Sequence, residues 1–188
     1  MATHAQPQAA GTVTGRAPVG DVLGAGLRLL LVGINPGRRS AETGCHFAGP
    51  GNRFWPALQA AGITPRLLRP DEQWLLPDFG VGLTNLVQRP SSRAAELTPD
   101  ELRAGARTLT RKVTIWRPAV VAVLGLTAFR SAFSQPAAQA GRQRERIAGA
   151  VCFCLPNPSG LNARATVDTH ARGLAAAARA AGLGNADT

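Results

Sequence analysis

Apolar residues along this chain fall into two patterns, short unbroken runs and residues recurring every three or four positions. Residues 28–34, Arg-Leu-Leu-Leu-Val-Gly-Ile, form an unbroken run, as do residues 118–124 and 151–155. A run without a polar face suits a strand covered on both sides, as in a parallel sheet, and these are too short to span a bilayer. Helical spacing marks residues 52–61, with Phe54, Trp55 and Leu58 on one side and Gly62 closing the helix. A short helix is predicted at 71–76. The clearest helix begins at Thr98, where Thr-Pro-Asp-Glu forms a capping box with Glu101 and places proline in the first turn. Leu102, Ala106, Leu109, Val113 and Trp116 then make one apolar stripe that should face a sheet, with Arg103, Arg107 and Arg111 elsewhere on the surface. Helices at about 127–133 and 168–181 complete an alternation that predicts an α/β domain, with helices on both faces of a mostly parallel sheet.

In open α/β sheets, ligands sit beyond the carboxyl ends of the strands. Asn35-Pro36-Gly37 follows the first predicted strand and Asn157-Pro158-Ser159-Gly160 follows the last, so both should emerge on that edge. Residues 82–89 would bring Thr84 and Asn85 to the same rim. Asparagine beside proline tolerates unusual backbone geometry and presents both a donor and an acceptor. One such pair is an ordinary turn; two at one sheet edge, with Gly49-Pro50-Gly51-Asn52-Arg53-Phe54-Trp55 between them, point to a site.

Several chemistries are excluded. A nucleotide-binding P-loop needs a longer glycine loop closed by Lys and Ser or Thr, and Pro36 removes one of the amides it would use. No Gly-x-Ser-x-Gly elbow exists, and of the three histidines His4 lies near the start of the chain and His170 in the last helix, where packing or surface exposure explains it better than catalysis. Cys45, Cys152 and Cys154 form no disulfide framework and are too few for a four-thiolate cluster. Cys152 and Cys154 flank Phe153 in a strand-like run and read as small buried hydrophobes.

The net charge of +10 changes the picture, because arginines that neutralise phosphates release condensed counterions. Nucleic acid is therefore the first candidate partner, although an Arg- and Ala-rich composition accounts for the charge equally well. Lys112 is the one lysine. At 188 residues the chain suits a single domain, read as 25–183, with a flexible tail at 1–24 and a short one at 184–188. The first segment resembles neither a signal peptide nor a membrane anchor, which predicts a cytoplasmic, nucleoid-associated protein that is not secreted.

Three segments in order carry a specific resemblance: Gly33-Ile34-Asn35-Pro36-Gly37, then Phe47-Ala48-Gly49-Pro50-Gly51-Asn52-Arg53-Phe54-Trp55, then Leu155-Pro156-Asn157-Pro158-Ser159-Gly160-Leu161. They resemble the motifs of the mismatch-specific uracil-DNA glycosylase and thymine-DNA glycosylase family, with support from Gly82-Leu83-Thr84 and Arg89-Pro90. The resemblance implies the uracil-DNA glycosylase fold, a three-layer α/β/α sandwich with a short central, mostly parallel sheet. It implies no metal or cofactor, a monomer, and double-stranded DNA bearing a mismatched or damaged pyrimidine as partner. The implied activity is monofunctional hydrolysis of the N-glycosidic bond of uracil, with thymine or bulky cytosine adducts as further bases, opposite guanine. The alternative is a non-catalytic lesion binder using the same pocket.

By that resemblance Asn35 positions the water, and as an amide it orients rather than deprotonates it. Phe47 stacks on the flipped base, amides around Ile34 and Phe47 read the base edge, and Asn157 stands where faster relatives carry histidine. Ser159, Gly160, Leu161, Asn162 and Arg164 form the loop that enters the duplex, with Leu161 as the wedge. Asn162-Ala163-Arg164 departs from the bacterial pattern of a small hydroxyl residue followed by arginine. Asp78 is an alternative base if it approaches the pocket, Glu42 a second one, and a solvated loop aspartate the plainer reading of Asp78.

Overall fold

The computed structural model describes residues 19–161 and 165–183. Its centre is a five-stranded sheet of β1 (Leu29–Gly33), β2 (Val81–Asn85), β3 (Val120–Leu124), β4 (Gly141–Ile147) and β5 (Ala150–Leu155), in the order β2-β1-β3-β5-β4. All neighbours pair in parallel except β4, which runs antiparallel to β5. β1 and β3 are buried along their whole length, which explains their unbroken apolar sequence.

Alternation along the strands feeds two separate cores. Leu29, Leu31, Val120, Ala122, Phe153 and Leu155 meet α2 (Phe54–Ala60) and α5 (Val167–Ala180) on one face. Leu30, Val32, Val121, Val123, Cys152 and Cys154 meet α3 (Pro99–Trp116) and α4 (Leu126–Ala132) on the other. The result is the three-layer α/β/α sandwich that the motifs imply. Burial pushes both the Cys152 and Cys154 thiols up to about 12, so they pack as neutral apolar groups.

Thr98 caps α3 by accepting from the Glu101 amide, while Glu101 reaches back to the Thr98 amide. Leu102, Ala106, Leu109 and Val113 face the sheet. Gly105 shares that face, where a Cβ would overlap the Leu86 carbonyl. Trp116 departs from the predicted stripe: as the last residue of the helix it is 39% exposed.

Two strands and one helix are absent from the apolar pattern. β2, Val-Gly-Leu-Thr-Asn, lacks a distinctive run and is ordered by pairing with β1. β4, Gly-Arg-Gln-Arg-Glu-Arg-Ile, is an edge strand carrying charge throughout, a composition that discourages pairing with another molecule. α1 (Arg38–Thr43) is too short to show a period. The predicted helix at 71–76 is a 3-10 helix over Pro70–Phe79. The packed body also begins before residue 24: Val19 is 1% exposed, and Val22 exchanges backbone hydrogen bonds with Leu83.

Candidate active site

The chain after β1 leads to β2 on one side of the sheet, whereas the chain after β3 leads to β4 and then β5 on the other. The connections leaving their carboxyl ends therefore diverge, and a crevice opens between them. Ile34 and Leu124 line its floor, and the cleft above has a volume of about 1120 Å³. Gly125 lets the two strand ends approach, since a Cβ there would lie 2.8 Å from Cγ1 of Ile34.

Asn35 leaves β1 at this point with its amide orientation set by distant residues. Its Nδ2 donates to Ser91 Oγ at 2.8 Å and to the Arg89 carbonyl at 3.1 Å. Ser91 is held in turn, its hydroxyl donating to the Arg93 carbonyl and its amide to the Pro36 carbonyl. Arg89 is anchored by a two-pronged ion pair to Glu101 at 2.7 and 3.1 Å. That pairing, helped by the Thr98 amide, lowers the Glu101 carboxyl to about 2. With the NH2 group engaged, Asn35 Oδ1 is the part of the amide left to accept a hydrogen bond in the cleft.

Phe47 forms the facing wall. One side of its ring stacks on buried Phe54, with centroids 3.9 Å apart and planes 21° from parallel, and the remainder borders the cleft. Its backbone is left-handed at φ 54°, a sparsely populated conformation for a phenylalanine. Neighbours hold it there: Trp55 Nε1 donates to the His46 carbonyl, the His46 amide donates to Gln73, and the Ala48 amide donates to Ser40. Gly33 gives room behind the ring, because a Cβ would overlap Asn85 Oδ1 and sit 3.3 Å from Phe47 Cζ. Asn85 therefore backs this wall, whereas the neighbouring Thr84 turns to the opposite face of the sheet, toward Lys112.

The second Asn-Pro loop closes the cleft. Asn157 Oδ1 accepts from the Ser159 amide, forming a local turn. The Arg53 amide and guanidinium donate to the Pro158 and Ser159 carbonyls, tying this loop to the start of α2. Gly160 passes so near Gly51 that a Cβ would come within 3.1 Å of its carbonyl oxygen. Leu161 stands at the tip, 78% exposed, with no core to fill. Asn162 and Arg164 lie outside the described residues.

Ile34, Asn35, Phe47, Asn157, Ser159, Gly160 and Leu161 thus converge on one cleft. Asp78 does not join them. It is exposed just before β2, at the amino end of the sheet, whereas the cleft lies beyond the carboxyl ends. Glu42 does line the cleft, the one carboxylate among the described lining residues, 3.8 Å from Arg39. Arg38, Arg39, Arg53 and Arg93 make the lining strongly positive. Of these the motif reading captured only Arg53; the Arg38-Arg39 pair directly after the first turn was a signal in the charge pattern, while Ser91 carried none.

His170 is buried beside Arg53, and both burial and that guanidinium lower its pKa. Its Nε2 has no hydrogen-bond partner among the described residues. It packs as a neutral ring, as expected from its place in the last helix.

A doubly wound sheet with a positive cleft at its switch point, an oriented amide on one wall and an aromatic ring on the other, defines a site for a planar ring attached to an anionic chain. The model of the Uracil DNA glycosylase superfamily matches residues 21–178, and the chain belongs to that superfamily. It is accordingly a DNA glycosylase, a hydrolase of base excision repair. No helix among the described residues is long and apolar enough to cross a membrane.

Proposed function

We propose that this enzyme flips uracil out of double-stranded DNA opposite guanine and hydrolyses its N-glycosidic bond, with thymine and bulky cytosine adducts as further substrates. The observation that carries this reading is the fixed amide of Asn35, whose oxygen is left for the cleft across from Phe47. A water accepted there is oriented toward the sugar, while the base lies against Phe47. As the water oxygen bonds to C1′, the C1′–N1 bond breaks and its electron pair leaves with the base. Backbone amides of Ile34 and Phe47 stabilise the charge developing on the base; one water proton passes to solvent while the other stays on the new C1′ hydroxyl, and the released base takes up a proton from solvent. An amide supplies no strong base, so the reaction rests on orientation and leaving-group stabilisation and is slow.

Leu161 supports the flipping step, because an exposed leucine at a loop tip can fill the space that the base vacates. Unstacking costs roughly a few kcal/mol and is cheapest at a mismatch, which favours a wobble-paired uracil. Arg38, Arg39 and Arg93 at the cleft suit the flanking phosphates. The reaction is monofunctional: Lys112, the one lysine, is engaged by Asp21 and Thr84 away from the cleft.

Incubation of excess enzyme with a G:U duplex tests the proposal. Strand breakage should appear only after alkali, which cleaves the abasic site. An intact strand would overturn the enzymatic reading, and an intact strand retained on the protein would identify a lesion binder.

A further inference from the structure

Residues 19–22 contact two segments behind the Phe47 wall, the one that carries His46 and the end of β2. On one side, the Gly20 carbonyl and Nε2 of His46 are 2.9 Å apart, and His46 immediately precedes Phe47. Burial lowers the His46 pKa, so its ring is neutral and the Nε2–H donates. On the other side, Thr84 Oγ1 donates to Asp21 Oδ1 at 2.6 Å, and Thr84 immediately precedes Asn85 behind the Phe47 ring. Lys112 reaches from α3 to close the triangle, 2.6 Å from Asp21 Oδ2 and 2.8 Å from Thr84 Oγ1. The Lys112 and Asp21 side chains are only 21% and 23% exposed, so water screens the pair weakly. Two backbone bonds between Val22 and Leu83 seat the segment on β2.

None of these groups lines the cleft, yet His46 adjoins Phe47 and Thr84 adjoins Asn85 behind its ring. Phe47 is held in a left-handed conformation that its sequence does not favour, so bonds to the flanking residue carry the geometry. We infer that Gly20 and Asp21, with Lys112, Thr84 and His46, form a positioning brace that sets the spacing between the Phe47 wall and the end of β2. Asp21 and Lys112 are positioning residues rather than catalytic ones. Their loss should lower turnover through misplacement of the pocket while leaving the arginine contacts to DNA in place.

This inference rests on the glycosylase reading, and two measurements keep their failures apart. The first is single-turnover excision from a G:U duplex beside the affinity for that duplex. Asp21→Asn should slow excision roughly ten- to a hundredfold, the scale of an ångström-sized misplacement, with affinity within about twofold. Asp21→Asn leaves Lys112 without its counter-charge, so the double variant Asp21→Asn/Lys112→Met separates folding from positioning. It should regain a melting temperature near that of the parent yet stay slow, whereas Lys112→Arg should recover most of the rate. The second measurement is hydrogen exchange over residues 44–48 and 83–87, which needs no substrate: both segments should exchange faster in Asp21→Asn and in the double variant. A parent rate in the double variant, or unchanged exchange in both segments, would overturn the brace. Faster exchange in a protein whose parent form excises nothing would support the brace and sink the glycosylase reading.

Discussion

Asn35 and Asn157 occupy the same dipeptide, each before a proline and each just past the end of a central strand, but their amides are used in opposite senses. At Asn35 the NH2 group is engaged by Ser91 and Arg89, more than fifty residues away, leaving the oxygen for the cleft. At Asn157 the oxygen is turned into the loop itself, accepting from Ser159 two residues on. In the proposed mechanism the first arrangement prepares a hydrogen-bond acceptor for the water. The second shapes the loop that carries Leu161. One motif thus presents its oxygen to the cleft in one place and shapes its own loop in the other, and the difference lies in whether that oxygen is taken up by the loop.

The largest expected effect comes from removing the acceptor. Asn35→Ala should reduce single-turnover excision roughly a hundredfold or more while mismatch affinity stays within a few-fold. A variant that excises at near-parent rate would erase the distinction between the two asparagines. Ser91→Ala sharpens the same point without touching the water site. It leaves Asn35 with the Arg89 carbonyl as its better remaining partner, so a loss of about tenfold in excision, with little change in melting temperature, is expected. On the Asn157 loop the defect should appear in binding. Leu161→Ala should weaken affinity for a mismatched duplex by about tenfold, since partial burial of a leucine contributes on the order of 1 kcal/mol or more. A titration showing unchanged affinity would remove the wedge.

The smallest effect concerns pH. Burial and Arg53 lower the pKa of His170 below its ordinary 6.5, so the unfolded chain binds the proton more readily than the folded one. Stability from this source is present above pH 6.5 and is lost as the pH falls below that value toward the folded pKa. Denaturation midpoints should decline on acidification, and less steeply in His170→Leu. His46, lowered mainly by its own burial, contributes with the same sign and keeps the variant's profile from becoming flat.

The elements readable in advance were those whose burial leaves a local mark. β1, β3 and β5 are covered on both faces and so are written as continuous apolar runs, and α3 carries its capping box and stripe within one segment. β4 left no such mark, because its order depends on pairing with β5 through a turn with Ala148 and Gly149 at positive φ. Asp78 shows the limit of closeness in sequence: its exposure agrees with the plainer reading as a solvated aspartate and not with the alternative of a base. Proximity in sequence to Thr84 suggested proximity to the pocket, but β2 carries the chain from one edge of the sheet to the other in between.

The linear chain determined that an α/β sheet would form and that two Asn-Pro turns would lie on its ligand-bearing edge, because strand period and turn chemistry are local properties. Only the tertiary structure decided which atoms those turns present. The orientation of an amide, the left-handed backbone of Phe47 and the bracing role of Asp21 each depend on hydrogen bonds to residues brought close by folding. Such partners have no fixed spacing along the chain.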